Sequence, residues 1–583
     1  MKKIGIGYED YKRIIDDGCY YVDKTPLIEE IIEKGGIVTL FTRPRRFGKT
    51  LALSMLQTFF EEARDEDGNI VDNSRYFEGM KIMEADRSIL DRMGKYPVIR
   101  LSLKSSKQPN FETSFMKLRD EISYEFSRHS YVKKNGILSD ESISVFEEFE
   151  HGTSNWFEKE KGFTSETERK AELEREIGRY ATALKTLSAI LKMYHGQSAI
   201  ILLDEYDVPL ENAYSCGFYD EMVGFIRSLF ESALKTNDAL EFAVITGCLR
   251  IRKESIFTGL NNLKVNSVLS GDFSEGFGFN ESETFKMLED YSIPESKDEV
   301  KTWYDGYQFG NSEIYNPWSV INYVDGKVNG VQTLPKPYWS NTSSNSIIKD
   351  MVDNTDDSVK EELDILISGG TVEKQIHEDI TYDDIYKNED NLWNFLFFTG
   401  YLRLVSERLE NDNIYATMRI PNTEIRSIYK NQIMEWFNAT IKKESFDQLY
   451  RAITEKDTYC IENFLTDLLQ KSISYFDSEE SFYHGFFLSL LYGMPGYSVK
   501  SNREEGDGRP DITLYPNRPK DPAYIFELKS CKKFNEMDAG LKDALDQITD
   551  RKYEEGILDD GYIGSVSFGI CFCKKSCIVG LLG

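Results

Sequence analysis

The stretch Val38 to Leu53, V-T-L-F-T-R-P-R-R-F-G-K-T-L-A-L, decides how the N-terminal half of the chain is read. Val38, Leu40 and Phe41 predict a short apolar strand, followed by a tight basic loop and a helix opening at Gly48-Lys49-Thr50. Strand, loop and helix in that order can cradle a phosphate. Backbone N–H groups at a helix N-terminus point at the anion, and a lysine supplies a full charge. The usual spacing is G-x-x-x-x-G-K-[ST], and Arg43 stands where the first glycine would be. Arg45, Arg46, Gly48, Lys49 and Thr50 are therefore candidate nucleotide ligands, with Thr50 also a candidate metal ligand. The alternative is a basic turn ahead of an ordinary core helix.

Working outward, Pro26 suits a first helical position, and Leu27, Ile28, Ile31 and Ile32 recur at helical spacing. Leu51, Leu53, Met55, Leu56, Phe59 and Phe60 make the helix after the loop apolar on the side that would pack on a sheet. Tyr96 to Leu103 predicts a strand, and Phe111 to Tyr194 a mostly helical run. Ser198 to Asp207, S-A-I-I-L-L-D-E-Y-D, is the second strong signal. Its apolar run predicts a strand buried on both faces of a parallel sheet. Carboxylates ending such a strand are costly unless a cation meets them. This assigns Asp204 to a nucleotide-bound Mg2+ and Glu205 to orienting water. A third buried strand, Glu241 to Gly247, places Thr246 where it can reach a terminal phosphate, with Arg250, Arg252 and Lys253 as nearby cations. A structural threonine and solvated bases are the competing reading.

The third signal runs from Glu480 to Tyr553. Ser481 to Tyr492 predicts a helix stopped by Gly493, and Glu480 and His484 lie four apart on one face. Asp511 precedes an alternating strand at Ile512, and Tyr524 to Lys529 reads as its return partner across a turn marked by Asn517, Pro519 and Pro522. Residues two apart in a strand face the same way, so Glu527 and Lys529 project together and Asp511 joins them if the strands pair. Two or three carboxylates (Asp511, Glu527, Glu480) suit a hard Mg2+ ion, and a lysine beside them suits phosphodiester cleavage. Gln547 and Tyr553 on a downstream helix, with Arg509 before the first strand, are candidate nucleic-acid contacts. An amphipathic hairpin with surface charges is the competing reading. Cys571 and Cys573 read as one face of a buried C-terminal strand rather than as a metal site.

The chain's 583 residues exceed what one core can organise. We expect an ATPase-like domain over 1–285, a mainly helical lid or linker over 286–440, and a nuclease-like domain over 441–583. A net charge of −29 disfavours diffuse binding to DNA or anionic membranes, though a local basic groove or bound metal can reverse the field. The N-terminus lacks a signal-peptide apolar core and no run reaches membrane-spanning length, so a cytoplasmic location without membrane partners is expected. Eight scattered cysteines fit a reducing compartment. Aromatic clusters at Trp303 to Tyr307 and at Tyr338-Trp339 read as packing.

Tyr21-Val22-Asp23-Lys24-Thr25, the loop Arg43 to Thr50, Leu203 to Asp207, Asn261-Asn262-Leu263 and Trp303-Tyr304-Asp305-Gly306-Tyr307 resemble the bacterial AAA-ATPase-like family. Phe482-Tyr483-His484, Gly506-x-Gly508-Arg509-x-Asp511, Glu527-Leu528-Lys529 and Gln547-Ile548 resemble its usual C-terminal partner, a PD-(D/E)XK nuclease-superfamily domain. The resemblance implies an α/β architecture: a P-loop NTPase-like parallel sheet with helices on both faces, then a restriction-endonuclease-like α/β domain. It also implies ATP and Mg2+ as cofactors and nucleic acid, with DNA the expected polymer, as partner. It is compatible with a homo-oligomer. A nucleotide-gated binding module without turnover, and a scaffold that binds no nucleotide, are the rival expectations.

Overall fold

The computed structural model describes all residues except 1, 135, 251–255, 258, 331–333, 342–356, 378–388, 432–445, 471–479, 492, 502–508 and 583. The chain forms two compact units, one of Met1–Asn341 with Glu373–Arg426, the other of Thr342–Val372 with Ser427–Gly583. The boundary expected at 285 falls inside the helix Glu281–Asp290, and the one expected at 440 lies outside the described residues.

The first unit is built on five strands: β1 (Val38–Thr42), β2 (Val98–Ser102), β3 (Ala199–Asp204), β4 (Leu240–Gly247) and β5 (Leu263–Asn266). They are parallel throughout and lie in the order β2-β3-β4-β1-β5. β1 and β3 are buried at every residue, which explains the unbroken apolar run Ala199 to Leu203 and the apolar Val38, Leu40 and Phe41: a parallel sheet is covered on both faces. The helix Lys49–Phe60 packs Leu53, Leu56, Phe59 and Phe60 into a core shared with Phe41, Val98, Ile200, Leu202 and Val244. Each such side chain contributes roughly 1.5–3 kcal/mol on burial. The order brings the carboxyl ends of β1, β4 and β3 side by side, where open parallel sheets bind ligands.

The segment after this sheet adds helices (among them Glu281–Asp290, Lys297–Tyr304, Pro317–Val328 and Glu389–Phe398) and two small antiparallel sheets. These are the hairpin β6 (Tyr307–Phe309) with β7 (Ser312–Ile314), and β8 (Val372–Gln375), β9 (Arg403–Glu410) and β10 (Asn413–Arg419) in the order β8-β10-β9. Asn316 caps the helix that starts at Pro317 by accepting from Trp318 and Ser319 N–H, as the Asn-Pro pair predicts.

The second unit holds a mixed sheet of β11 (Tyr497–Ser501), β12 (Ile512–Pro516), β13 (Ala523–Ser530), β14 (Ser565–Cys573) and β15 (Ser576–Leu581), in chain order. Only β13 and β14 pair in parallel; the other neighbours are antiparallel. The connection between β13 and β14 contains the helix Met537–Asp550, which packs so closely on the sheet that a Cβ at Gly540 would lie 2.5 Å from Cys571 Sγ. Cys571 and Cys573 are both buried on β14.

Candidate functional site

The loop between β1 and its helix is fixed from beneath by Arg43, which is wholly buried. Its guanidinium donates to the carbonyls of Thr42 (3.0 Å), Asn266 (2.9 Å) and Phe273 (3.3 Å) and lies between the rings of Phe277 and Phe309. Burial pulls its pKa down to about 9. A glycine at this position would supply none of these ties. Phe47 is buried against Tyr307 and Phe309, Arg46 lies over the Trp318 ring at 4.1 Å, and Trp339 Nε1 donates to the Arg45 carbonyl at 3.3 Å. Glu424, which accepts from Trp339 N–H (2.9 Å) and Ser319 Oγ (2.8 Å), is buried and its carboxyl is pushed up to about 7 by that burial. The aromatic clusters of the middle segment thus form a collar around the loop. Local sequence patterns give no sign of it.

The loop turns through Arg46 (φ 71°) and Gly48 (φ 85°) into the helix. Among the described residues, the backbone N–H groups of Phe47, Gly48, Lys49 and Thr50 have no protein acceptor. Lys49 is buried and its Nζ donates to the carbonyls of Arg43 and Pro44, both at 2.9 Å. Arg45 pairs with Glu211 at 2.6 Å. At the end of β3, Asp204 is buried and accepts from Thr246 Oγ1 at 2.5 Å across the β3–β4 pairing. Glu205 follows in a left-handed conformation (φ 52°), which a non-glycine residue holds only when its surroundings enforce it. Tyr206 enforces it by donating its N–H to Thr246 O (3.1 Å) and its hydroxyl to Leu249 O (2.5 Å). Burial, with Asp204 beside it, pushes the Glu205 carboxyl up, while Lys49 and Lys104 oppose the shift. Asp207, which sequence reading left without a role, is buried and accepts from the N–H groups of Cys248 (2.8 Å) and Leu249 (3.1 Å). It thereby ties the turn after β3 to the turn after β4, the turn that leads to Arg250. Arg252 and Lys253 lie outside the described residues.

In the second unit the pairing of Ile512 with Phe526 sets Asp511 opposite Glu527. Asp511 Oδ2 accepts from Leu528 N–H at 2.8 Å, and its carbonyl lies 3.0 Å from His484 Nε2, itself 3.0 Å from Ser501 Oγ. The carbonyl can only accept, so His484 carries its proton on Nε2. Lys529 Nζ lies 3.5 Å from Glu527 Oε1 and donates to Gln547 Oε1 at 2.8 Å. Gln547 Nε2 in turn donates to Glu527 Oε1 and sits 3.4 Å from Tyr553 Oη, which donates to the Arg509 carbonyl at 3.3 Å. Asp511, Glu527, Lys529, Gln547 and Tyr553 are thus brought together, while Arg509 enters through its backbone and its side chain is exposed. Burial, reinforced by Asp511, pushes the Glu527 carboxyl up to about 7. Glu527 is 1% exposed, and its Oε2 has no hydrogen-bond partner. The Glu480 side chain, at the start of the helix Glu480–Leu491, lies outside the described ones. Among the described residues no cluster of three or more His, Cys, Asp or Glu is arranged to hold a metal ion. The fit of a divalent cation rests on Asp511 and Glu527: hard oxygen donors, among them a buried Oε2 that no hydrogen-bond donor meets.

These arrangements define two classes of domain, a P-loop-like parallel α/β domain and a nuclease-like mixed α/β domain. Residues 5–257 match the model of the AAA-ATPase-like family, described as "Predicted AAA-ATPase", and residues 478–581 match that of the PD-(D/E)XK nuclease superfamily. The chain therefore carries an N-terminal domain of the AAA-ATPase-like family and a C-terminal domain of the PD-(D/E)XK nuclease superfamily, as the motifs indicated. An uncharacterized protein in the vnfD 5' region of Azotobacter chroococcum mcd 1 is 23% identical over 565 residues, covering 95% of this chain and 93% of the relative. No solved structure gives a significant match. Among the described residues no helix is long and apolar enough to cross a membrane.

Proposed function

We propose that the chain binds ATP with Mg2+ in its first unit and cleaves the phosphodiester backbone of nucleic acid, expected to be DNA, with a divalent cation in its second. The observation that carries the reading is the buried, unpartnered Oε2 of Glu527 beside Asp511, Lys529 and Gln547. Asp511 and Glu527 hold the cation, with Glu480 as an added ligand. When bound there, it supplies a polarised water and charge neutralisation at the scissile phosphate. Lys529, tied to Gln547, contributes a fixed ammonium for the charge that develops on the phosphate. Arg509, Gln547 and Tyr553 border the strand being cut.

In the first unit the free N–H groups of residues 47–50 and the charge of Lys49 suit a phosphate chain. Thr50 and Asp204 hold the Mg2+, Glu205 orients water, and Thr246 keeps Asp204 in place. Arg45, Arg46 and Arg250 are the further cations at this end of the sheet. The test is cleavage of DNA and RNA oligonucleotides by the purified chain with Mg2+, with and without ATP. Asp511→Ala and Lys529→Ala are expected to abolish cutting; wild-type cutting by both variants defeats the nuclease assignment.

A second reading, a nucleotide-gated nucleic-acid-binding switch without turnover, is favoured by one observation. The loop's cations are engaged within the protein: Lys49 on two carbonyls, Arg45 on Glu211 and Arg46 on Trp318. ATP binding with no phosphate release, together with oligonucleotide binding and no cleavage, selects it.

A further inference from the structure

β13 and β14 run parallel and end together: Ser530 is opposite Phe572, and Cys531 N–H donates to the Phe572 carbonyl at 2.9 Å. A lysine pair follows each strand, Lys532-Lys533 after β13 with Cys531 between, and Lys574-Lys575 directly after β14. Lys532 and Lys533 follow Lys529 by three and four residues, about 10 Å along an extended chain. Between the two pairs stands Phe534, 58% exposed, with Lys574 Nζ 5.6 Å from its ring centre.

Three features of this patch together bear on what it could bind. The chain carries a net charge of −29, yet none of the four lysines is in an ion pair among the described residues. Some lysines elsewhere pair tightly, as Lys24 does with Glu283, Lys133 with Glu150 and Lys159 with Glu172, each at 2.6 Å. The acidic residues beside the patch, Glu536 and Asp538, are exposed and form no ion pair with these lysines. Second, Lys574 and Lys575 form the two-residue turn between Cys573 and Ser576, and Lys574 adopts φ 54° there. Such turns favour Asn-Gly or Asp-Gly. A lysine pair goes against the local preference, as happens where function sets the residue. Third, a large aromatic ring left exposed among cations has the chemistry of a stacking platform for an unpaired base.

We propose that Lys532, Lys533, Lys574, Lys575 and Phe534 form a guide that grips the backbone and stacks one base of a single-stranded nucleic acid leading to Glu527 and Lys529. The proposal rests on the nuclease reading above and assigns its substrate an unpaired segment next to the cleaved bond. A duplex would meet the same lysines but offer no base to Phe534.

The test uses the full chain in EDTA, with fluorescein-labelled 15-nucleotide single-stranded DNA, the same sequence as RNA, and a blunt DNA duplex, read by anisotropy across a salt series. Lys532→Ala and Lys533→Ala combined with Lys574→Asn and Lys575→Gly, which suit the turn, are expected to flatten the salt dependence on single strands by about 2 to 3 log units per log unit of salt. Phe534→Ala is expected to weaken single-strand binding about tenfold with the slope unchanged and to leave duplex binding alone, while Phe534→Trp restores it. The DNA and RNA arms identify which polymer the guide prefers. Unchanged slopes, equal losses on the duplex, or displacement of the oligonucleotide by polyglutamate from wild type but not from the lysine variant overturn the guide. If wild type binds and cuts while these variants behave as wild type, the guide alone falls. If wild type neither binds nor cuts, the nuclease reading falls with it.

Discussion

Replacing Arg43 by glycine restores the G-x-x-x-x-G-K-T spacing at residues 43–50 and is nevertheless expected to damage the loop. The substitution strips partners from three carbonyls, those of Thr42, Asn266 and Phe273. Leaving buried carbonyls unpaired costs about 1–3 kcal/mol each, and losing the packed methylene stem costs about 2 kcal/mol more. Against this stands relief from holding a cation out of water. The downward shift of the guanidinium to about 9 corresponds to about 5 kcal/mol. The net expectation is a loss of about 3 kcal/mol, or a fall of about 5 °C in melting temperature for a unit of this size. Arg43→Lys, which keeps the charge but lacks the fork, is expected to fall between wild type and glycine. Because loosening the loop also misplaces the backbone N–H groups of residues 47–50, ATP·Mg2+ binding measured by calorimetry is expected to weaken in the same order. A glycine variant that melts at the wild-type temperature and binds ATP as tightly refutes the reasoning.

Other outcomes follow from the same geometry. Gln547→Ala releases Lys529 and Glu527 from their shared carboxamide and is expected to slow cleavage about 10- to 100-fold with a much smaller loss of oligonucleotide affinity; an equal loss of both would mean the helix Met537–Asp550 had shifted instead. Thr246→Val leaves the buried Asp204 carboxylate short of a donor, so calorimetry is expected to show weaker binding of ATP with Mg2+ but not of ATP in EDTA. Glu424 keeps its proton in the folded protein up to about pH 7, whereas the unfolded chain releases it near 4.5. The native state therefore binds more protons between those values, and stability falls as pH rises through them, by about 3 kcal/mol. Glu424→Gln is expected to remove that part of the slope and to raise the melting temperature at pH 8; an unchanged profile would show that Glu424 does not titrate in this window.

The sheet of the first unit was legible because burial on both faces leaves a compositional mark. Ala199 to Leu203 is a run of apolar residues that few other environments tolerate, and Val38, Leu40 and Phe41 mark β1. β5 left no such mark, since Leu263–Asn266 is four residues long and three of them are only partly buried. The meeting of Asp511 with Glu527 and Lys529 could be read because strand alternation and a Pro-rich turn fix both register and side. Arg43 could not be, because a charged side chain at complete burial runs against every local preference and is stabilised by partners more than 220 residues away. The same distance hides the collar: Tyr307, Phe309, Trp318 and Trp339 reach the loop only through the fold. Spacing alone grouped Arg45 and Arg46 with the phosphate ligands, while in the folded chain Arg45 meets Glu211 and Arg46 meets Trp318.

The two carbonyls that hold Lys49 act as an internal stand-in for a ligand. On the proposed reading, an incoming phosphate would not fill a gap; it would displace oxygen atoms belonging to the loop itself. Occupancy would then be an exchange, one anionic acceptor for two neutral ones, and its free energy the difference between them. Without nucleotide, the loop keeps Lys49 latched to its own carbonyls, with no unpaired buried cation to destabilise it.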